Sequence, residues 1–554
     1  MDMTWRDYLG LVRQYSLRRW RLLVPILAAA AGVVSLQMAS PYLIGRFLDS
    51  LGHTGGAGDF RQVWLFLVAA YVTHFAVNLV YLATTNMLMA RVAGALRIDG
   101  FRRLHRATQL PCSVGDVITR LMDDVVEAHE LLTRLPLLGI VNLLWLVVTI
   151  VVLARINPLF LWVILGVLPA YLVVGQVASR QIRQTNGRLL NQRSAITSEI
   201  EESLAMSDTV RAYGLQAFWA GRFSEKVSRF VALRERFGLQ QGMAQSGAHL
   251  FSELLPAALL LIGGYAVVTG EMTAGVLVTS YGYASRVFAP VEALMQVVMQ
   301  VSASLPALQR VQQILACEIE YDEGPPLVVR RGEIEFRDVS FAYSDKRPVL
   351  ERFSARLEPG VLNFIVGPNG SGKSTLLRLL LGFVRPSSGS ILVDGQDLAL
   401  VSPASTRASM GVVLQDGQFL NGTILENVHL GNLAAEPSEL QHHARQLGLE
   451  GLLSRVEAGW QTQVGRGGGR LSGGQAQCVA LARALVRNAP ILLIDEGTSN
   501  MDRDTEMAAY QRLVEILPDR TIVVVTHRVP DLTCPHRVIH VGSNGSDQTH
   551  GREG

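Results

Sequence analysis

The chain carries GPNGSGKS at residues 367–374, which fits the pattern G-x-x-x-x-G-K-[ST]. A mostly apolar run at 361–366 precedes this stretch, and Leu376 and Leu377 follow it. The order is therefore strand, glycine loop and helix, which is the context that a phosphate-binding loop requires. Glycines let successive backbone N–H groups turn toward phosphate oxygens, and the N-terminal end of the helix adds partial positive charge. The stretch predicts an α/β nucleotide-binding domain.

Lys373 is unusual in the composition of this chain. Only three of the 50 Lys and Arg residues are Lys, at 226, 346 and 373. Because a compact ammonium group suits the β- and γ-phosphates, we expect Lys373 to contact them and the Ser374 hydroxyl to hold Mg²⁺. The alternative is a glycine turn that binds no nucleotide. The remaining nucleotide-binding candidates of the loop are Gly367, Asn369, Gly370, Ser371, Gly372 and Thr375.

Two acids end a second apolar run. Residues 491–494 are apolar, and Asp495 and Glu496 follow them. A carboxylate at the C-terminal end of a strand beside a phosphate loop suits Mg²⁺, so we predict Asp495 as a metal ligand. Glu496 is then placed to polarise the attacking water as a general base. Acids after a strand are common, and the signal becomes strong only together with the phosphate loop.

Three more residues occupy suitable positions for a nucleotide site. Gln415 follows the predicted strand 411–414 and is a candidate sensor of the γ-phosphate through Mg²⁺ or water. His527 follows the predicted strand 521–525 and is a candidate γ-phosphate ligand. Tyr343 is a candidate for stacking on adenine. Taken alone, each is more often an ordinary polar or aromatic residue.

The stretch LSGGQ at 471–475 opens a predicted helix at 476–487. Its serine offers a hydroxyl, and the first turn of the helix offers free backbone N–H groups, an arrangement that suits an anion. The anion-binding candidates are Ser472, Gly473, Gly474 and Gln475.

The composition indicates a membrane part joined to a soluble part. The 554 residues predict more than one domain, and charged residues make up 18%, against about 25% in soluble proteins. The net charge of +3 is too small to indicate nucleic acid as a partner. The four Cys have neither metal-binding spacing nor a paired framework, so we expect reduced thiols.

Six stretches of the first half are apolar enough to span a bilayer, which takes about 20 residues. They lie at 22–44, 63–89, 135–154, 158–178, 248–269 and 272–298. Arg-rich segments at the N-terminus, 91–134 and 179–236 predict that these parts are cytosolic. The first stretch also resembles a signal peptide, but it continues to Ile44 and five spans follow.

Several helices are predicted to extend beyond the bilayer. Residues 63–110 contain no proline and keep helical apolar spacing, which predicts a rod of roughly 70 Å. Residues 1–18 are predicted to form an amphipathic helix on the inner membrane surface.

The pattern changes after Leu315, which predicts the domain boundary. We expect a transmembrane domain at 1–315, a linker at 316–331, a nucleotide-binding domain at 332–545 and a flexible tail at 546–554. In 333–343 the strand alternation slips by one residue near Asp338, which predicts a bulge or a break there.

Together these motifs resemble the ABC transporter family, specifically the exporter-type half-transporter with one six-helix membrane domain fused to one nucleotide-binding domain. LSGGQ lies between the phosphate loop and the strand ILLIDE, in family order. Segment 415–427 resembles the exporter Q-loop, 499–502 the D-loop and 526–528 the H-loop.

The resemblance implies that two copies enclose two ATP molecules, each between one phosphate loop and the partner's LSGGQ. Mg²⁺ accompanies each ATP, and Asp502 of the D-loop joins the nucleotide-binding candidates. Lys373, Gln415, LSGGQ, Glu496 and His527 are all retained, so both sites of a homodimer would be competent. A heterodimer with a different half-transporter stays open.

Some residues depart from the family pattern near the signature. Arg466 stands where exporters usually carry an acid, Ala476 and Cys478 replace Arg residues, and Gly497 replaces an Ala. We expect these departures to affect contacts between domains more than the chemistry of ATP.

Charged residues inside the spans are candidates for function. Glu253 and Arg286 lie 18 and 15 residues from the hairpin at Glu271, so at similar depth on neighbouring helices. We predict an ion pair between them, with direct contact to the transported molecule as the alternative. Further candidates for lining a cavity are His74, Asn78, Asn142, His249, Gln296 and Gln300.

The expected function is ATP-driven export of an amphipathic or hydrophobic compound, such as a lipid, a drug or a peptide natural product. We expect a multi-pass protein of the cytoplasmic membrane, with the nucleotide-binding domain in the cytosol and alternating access in a dimer. The alternatives are an importer on the same scaffold and an ATP-gated or regulatory membrane ATPase. Intact catalytic residues disfavour the ATPase, and the lack of an extra siderophore-binding domain disfavours the importer.

Overall fold

The computed structural model describes residues 5–51, 57–156, 158–343, 348–415, 418–436, 438–440, 442, 458–495, 503–542 and 550–551. The chain divides into two compact units, Met1–Ile319 and Glu320–Gly554.

The first unit is helical. Its helices are α1 (Trp5–Leu11), α2 (Trp20–Leu51), α3 (Ala57–Leu104), α4 (Val114–Thr119), α5 (Val125–Leu132), α6 (Arg134–Ile156), α7 (Pro158–Ala205), α8 (Ser207–Ala212), α9 (Gln216–Val268), α10 (Ala274–Ala284) and α11 (Phe288–Leu315). At 1.5 Å per residue, α3 and α7 are each about 72 Å long, more than twice the thickness of the hydrocarbon layer. The prediction of long rods is confirmed.

Six helical segments among the described residues are long and apolar enough to cross a membrane, as predicted. They are Arg6–Asp49, Arg61–Leu104, Val114–Ile156, Phe160–Ala205, Gln216–Val268 and Ala274–Leu315. Exposed Trp, Phe, Leu and Val side chains cover their outer surfaces, which is the pattern expected for helices that face lipid.

The N-terminal segment packs on helices of its own unit. The Tyr8 hydroxyl donates to the main-chain oxygen of Leu131 at 3.1 Å, and the Ser16 hydroxyl donates to that of Leu132 at 2.7 Å. The Tyr15 hydroxyl donates to Asp99 at 3.0 Å. Tyr8, Leu11 and Val12 also pack against the core of this unit, whereas Leu9 is exposed. The position of the segment on the inner membrane surface stays a prediction.

Small residues let α2 and α10 approach closely. A Cβ atom on Gly275 would lie 2.2 Å from the main-chain oxygen of Gly45, and one on Gly45 would lie 2.5 Å from that of Gly275. The Asp49 carboxylate accepts hydrogen bonds from the Gly275 N–H at 2.9 Å and from the Thr273 hydroxyl at 3.1 Å. Such glycine contacts are typical of packed membrane helices.

The last span is broken at 285–287, between α10 and α11. Pro290 has no N–H to donate to the carbonyl of Arg286, and its ring clashes with that carbonyl in a regular helix. The N–H groups of Arg286 and Val287 donate three residues back, to the oxygens of Tyr283 at 3.1 Å and Ala284 at 3.2 Å, so the regular helical pattern already ends here. The break therefore falls at Arg286, one of the charged residues of this span.

The second unit is an α/β domain with two sheets. Its strands are β1 (Ile334–Phe341), β2 (Leu350–Leu357), β3 (Leu362–Val366), β4 (Ser388–Val393), β5 (Gln396–Asp397), β6 (Met410–Val413), β7 (Ile491–Asp495), β8 (Thr521–Thr526), β9 (His536–His540) and β10 (His550–Gly551). Its described helices include α12 (Lys373–Leu380), α13 (Pro403–Ala408), α14 (Ile424–His429), α15 (Gly473–Val486) and α16 (Arg503–Ile516).

The larger sheet has the order β10-β9-β3-β8-β7-β6, and β9, β3, β8, β7 and β6 are parallel. The smaller sheet, β2-β1-β4-β5, is antiparallel. Phe364 faces one core with α15, and Ile365 faces another with α12. Because both faces of β3 are covered, all five of its residues are buried.

The predicted irregularity in β1 is confirmed. The register with β2 shifts between Phe336 and Val339, and Asp338 has a φ of 48°. The Asp338 N–H donates to the Ser354 hydroxyl at 2.9 Å.

The two units meet in the sequence between Ile319 and Glu320, inside the segment 316–331 that we predict as a linker. Glu318 accepts a hydrogen bond from the Thr108 N–H at 3.1 Å, within the first unit. Glu320 pairs with Arg407 at 2.5 Å, within the second unit.

Candidate nucleotide-binding site

Parallel strands bring the predicted site residues to one edge of the larger sheet. Val366 pairs with Thr526, and Asp495 pairs with Val525, so the carboxyl ends of β3, β8 and β7 are level. The phosphate loop leaves β3, Asp495 ends β7 and His527 follows β8. Gln415 comes two residues after β6, the next strand along. Ligands of open α/β sheets bind at this edge.

Two glycines of the phosphate loop are required by its geometry. Gly372 has a φ of +97°, a conformation that residues with a Cβ rarely adopt. A Cβ on Gly367 would lie 2.3 Å from the main-chain oxygen of Val541 and 2.7 Å from the Ser371 hydroxyl. The loop therefore closes tightly over the end of the sheet.

The polar groups of this loop suit phosphate and Mg²⁺. Lys373 is buried, and its ammonium group donates to the main-chain oxygens of Gly367 at 2.8 Å and Pro368 at 3.0 Å. The Ser371 hydroxyl is buried without a hydrogen-bond partner, which a phosphate oxygen would supply. The Ser374 hydroxyl donates to the Asp495 carboxylate at 3.3 Å. A hydroxyl and a carboxylate this close are oxygen donors of the kind that Mg²⁺ prefers.

Tyr343 lies beside the start of α12. Its hydroxyl is 3.3 Å from the Thr375 hydroxyl, and Arg378 donates to it at 3.4 Å. Half of the Tyr343 surface is exposed. The side chain is thus held near the phosphate loop with one part free, and adenine stacking stays a prediction.

LSGGQ forms the N-terminus of α15. The Ser472 hydroxyl accepts from the Gln475 N–H at 3.3 Å, and the Gln475 side chain accepts from the Ser472 N–H at 2.9 Å. This capping box fixes the entry into the helix. Gly473 and Gly474 form the first turn, where N–H groups have no partner within the helix.

Arg483 joins the signature helix to the Q-loop, a role that sequence reasoning did not identify. Its guanidinium donates to the main-chain oxygens of Asn427 at 3.0 Å and Gln418 at 2.9 Å, and to the Asn427 side chain at 3.1 Å. It also lies over the Phe419 ring at 5.1 Å. Burial lowers the pKa of Arg483. The sequence did contain a sign of this role. Arg483 is a basic residue, eight positions after Gln475, in a mostly apolar helix.

The segment before the signature also contacts the Q-loop. Thr423 forms a β-bridge with Gln463, and the Val464 N–H donates to Gly422 at 2.8 Å. A Cβ on Gly468 would lie 2.8 Å from the Phe419 ring. The unusual stretch around Gln463 therefore packs within the domain, against 419–423.

Cys478, at a position where the resemblance leads us to expect an arginine, is buried in α15. Burial raises the pKa of its thiol to about 12. The position lies in the core between α15 and the sheet, where an arginine would need a partner.

Glu496 and the whole D-loop at 499–502, including Asp502, lie outside the described residues, as do Gly497 and residues 416–417 of the Q-loop. Their roles stay predictions.

The Glu253–Arg286 ion pair is a prediction that the structure contradicts. Among the described residues, which include both, no ion pair joins them, because the Arg286 guanidinium donates to the main-chain oxygen of Gln37 at 2.5 Å. Of the predicted cavity residues, His74 lies beside the Gln37 amide at 3.1 Å. Asn142 donates to Leu138 of its own helix at 2.8 Å, and Gln300 donates to Glu130 at 3.1 Å.

Two family models match this chain. The model described as ABC transporter transmembrane region matches residues 22–291, and the model described as ABC transporter matches residues 350–499. The chain belongs to the ABC transporter family. It combines six membrane-crossing helices with one nucleotide-binding domain, as exporter-type half-transporters do.

Curated relatives of this ABC transporter include proteins with different cargo. It is 27% identical over 543 residues to the alpha-hemolysin translocation ATP-binding protein HlyB of Escherichia coli O157:H7, covering 96% of this chain and 76% of the relative. It is 29% identical over 513 residues to a fatty acid ABC transporter ATP-binding/permease protein of Mycobacterium tuberculosis, covering 90% and 80%. It is 30% identical to the leukotoxin export ATP-binding protein LtxB of Aggregatibacter actinomycetemcomitans, of which the match spans 64%.

A solved structure described as a bacterial Atm1-family ABC exporter with ATP bound is similar over nearly the whole transporter. The TM-score is 0.80 at 26% identity, with 95% of this chain and 94% of the other covered. The transporter is therefore a multi-pass membrane protein that couples ATP hydrolysis to transport.

Proposed function

We propose that two copies of this transporter form a homodimer that exports an amphipathic or hydrophobic compound across the cytoplasmic membrane. The observation that carries the proposal is the phosphate loop. A buried lysine, an unpartnered Ser371 hydroxyl and the Ser374–Asp495 contact lie in one chain with six spans. These groups suit a nucleotide triphosphate with Mg²⁺.

A dimer is supported by the placement of the signature. Among the described residues, no hydrogen bond joins residues 471–475 to residues 367–375 of the same chain. In keeping with the resemblance to half-transporters, we infer that the LSGGQ of a second copy closes over the nucleotide bound by each phosphate loop. Six further spans from that copy would complete a pathway.

Each residue of the site has a separate proposed role in ATP hydrolysis. Lys373 binds the β- and γ-phosphates, and Ser374 with Asp495 and Gln415 holds Mg²⁺, which neutralises charge on the phosphates when bound. Glu496 accepts a proton from the attacking water, and His527 donates a hydrogen bond to the γ-phosphate. Positioning and charge neutralisation supply most of the reduction of the barrier.

The cargo is proposed to be amphipathic because of the relatives' names. They include a toxin translocation protein and a fatty acid transporter. A fatty acid joins an apolar chain to a carboxylate, so the second of these names fits an amphipathic cargo.

Uptake into inverted membrane vesicles tests the proposal. We expect ATP-dependent accumulation of at least one member of a panel of lipids, dyes and peptides. Glu496→Gln should keep ATP bound, trap the dimer and abolish accumulation. Accumulation confined to vesicles of the opposite orientation would show an importer, and full hydrolysis by Glu496→Gln would contradict the base assignment.

A further inference from the structure

A pocket of about 280 Å³ lies among α2, α3, α6 and the break between α10 and α11. Its polar lining residues are Gln37, Ser40, Tyr71, His74, Trp145, Ser285 and Arg286. All seven lie within the predicted spans, so the pocket is at membrane depth.

The pocket carries a positive charge that no acid balances. The Arg286 guanidinium has five N–H donors, and its one hydrogen bond among the described residues goes to the main-chain oxygen of Gln37. No described carboxylate lies within ion-pair distance of it, and none of the residues lining the pocket is acidic. A charge inside a membrane span is costly without a partner, so its position points to a ligand.

Further donors converge on the same space. The indole N–H of Trp145 is buried and has no hydrogen-bond partner. The hydroxyls of Ser40 and Tyr71 lie 2.9 Å apart, and Gln37 Nε2 lies 3.1 Å from His74 Nε2. Gln37 Oε1 is also buried without a partner. If the side-chain amide of Gln37 is rotated by 180°, its oxygen accepts a hydrogen bond from His74 Nε2, and its NH₂ group becomes a further donor.

The break in the last span places the charge at this pocket. Pro290 prevents a regular helix at Arg286, and the chain turns at 285–287 before α11 begins. Discontinuous membrane helices commonly form binding sites, because their irregular backbone is tolerated where it lines a cavity.

We propose that this pocket binds the anionic end of the transported compound, a carboxylate or a phosphate on an apolar body. The inference rests on the proposed export of an amphipathic compound. Pockets for whole drug-sized ligands measure about 300–1,000 Å³, so this pocket fits a head group and the first carbons of a chain. Leu36, Ala70 and Ala289 supply its apolar walls.

Competition binding tests the pocket without ATP. The fluorescent carboxylate cis-parinarate serves as the probe and is added to the full-length protein in phosphatidylcholine discs, with protein-free discs as the blank. Four competitors with one tail length are then compared: dodecanoate, dodecyl phosphate, dodecanol and dodecyltrimethylammonium. We expect at least one of the two anions to compete about tenfold more strongly than the neutral and cationic compounds. Their relative strength distinguishes a fatty-acid-like cargo from a lipid phosphate.

Three substitutions make the test specific to Arg286. Arg286→Gln should remove the preference for anions, and Arg286→Lys, which keeps the charge, should retain most of it. Arg155→Gln removes the same charge at an exposed site outside the pocket and should leave the preference unchanged. Size-exclusion profiles of the variants report on folding.

Equal competition by all four compounds, or an Arg286→Gln protein that still prefers anions, would overturn the pocket assignment. ATP-dependent uptake into inverted vesicles would then still stand. Conversely, a retained anion preference without ATP-driven uptake of any compound would count against export and leave the anion pocket in place.

Discussion

The Lys373 side chain is held in place within the phosphate loop before any nucleotide binds. Only 6% of its surface is exposed, and its ammonium group already donates to two carbonyls of its own loop. The loop oxygens hold the side chain in an extended position, so little conformational entropy is lost when a nucleotide arrives. Lys226, in contrast, is partly exposed and pairs with the buried carboxylate of Glu199, which also pairs with Arg222.

We predict that Lys373→Arg lowers the ATPase rate about a hundredfold, since a planar guanidinium does not fit the buried position of a compact ammonium group. Lys226→Arg is the matched control, because Lys226 lies outside the nucleotide site and an arginine keeps the charge that pairs with Glu199. ATP hydrolysis by the reconstituted protein measures both. Near-normal hydrolysis by Lys373→Arg would contradict the assigned role.

We predict that Cys478 resists alkylation by N-ethylmaleimide between pH 7 and pH 9. Its pKa is raised to about 12 by burial, so at every pH below that value the reactive thiolate is scarce, and it increases only as the pH approaches 12. Cys112, which is partly exposed, serves as the internal control. Mass spectrometry of labelled peptides gives the rates, and equal rates for the two thiols would refute the buried position.

At the scale of elements, the nucleotide-binding domain depends on contacts between segments that are far apart in sequence. Arg483 on α15 holds residues 418–427, and α14 begins with a capping box at Thr423 and Glu426. The Q-loop is therefore attached to the signature helix through one partly buried guanidinium.

We predict that Arg483→Gln destabilises this attachment by about 3 kcal/mol, because three charge-assisted hydrogen bonds and a ring contact are lost. Amide hydrogen exchange at 418–427 should become faster, and the thermal midpoint of the domain should fall. Arg487→Gln, at an exposed position one turn further on, should change neither. Unchanged exchange in the Arg483 variant would show that the Q-loop is held in another way.

The contact between α2 and α10 makes a second prediction at this scale. A Cβ on residue 275 would lie 2.2 Å from the main-chain oxygen of Gly45. Gly275→Val therefore forces the two helices apart, at a cost of about 1–3 kcal/mol in the free energy of unfolding. Gly264→Val adds the same side chain where nothing lies within 4 Å of the Cβ. Thermal aggregation of the purified protein should begin earlier for the first variant only.

At the scale of the whole molecule, the proposed homodimer has composite sites, and mixing two inactive variants tests it. Lys373→Ala disables the phosphate loop, and Ser472→Trp disables the signature. In a mixed dimer, one site combines both defects and the other combines two intact parts. We expect ATP hydrolysis to reappear when the two variants are expressed together, although neither is active alone.

Activity in the single Ser472→Trp variant, or no recovery in verified mixed dimers, would contradict the composite site. Mass measurement of the protein in bilayer discs establishes that two copies are present.

The sequence by itself determined the α/β class of the second unit, the six spans and the phosphate loop. These depend on local patterns: apolar runs of bilayer length, a glycine loop between strand and helix, and acids at the end of a strand. The irregularity in β1 at Asp338 could be predicted for the same reason, since the alternation of apolar and polar residues along one strand is a local property.

Only the tertiary structure decided the partners of Arg286 and Arg483. Counting residues placed Glu253 and Arg286 at equal depth, but depth does not specify which faces of two helices meet. The last span is broken near Pro290, and the Arg286 guanidinium donates to the main-chain oxygen of Gln37. The packing of α15 places the Arg483 guanidinium against the Q-loop. Contacts between distant segments depend on how helices rotate and pack, and no local pattern in one sequence encodes that.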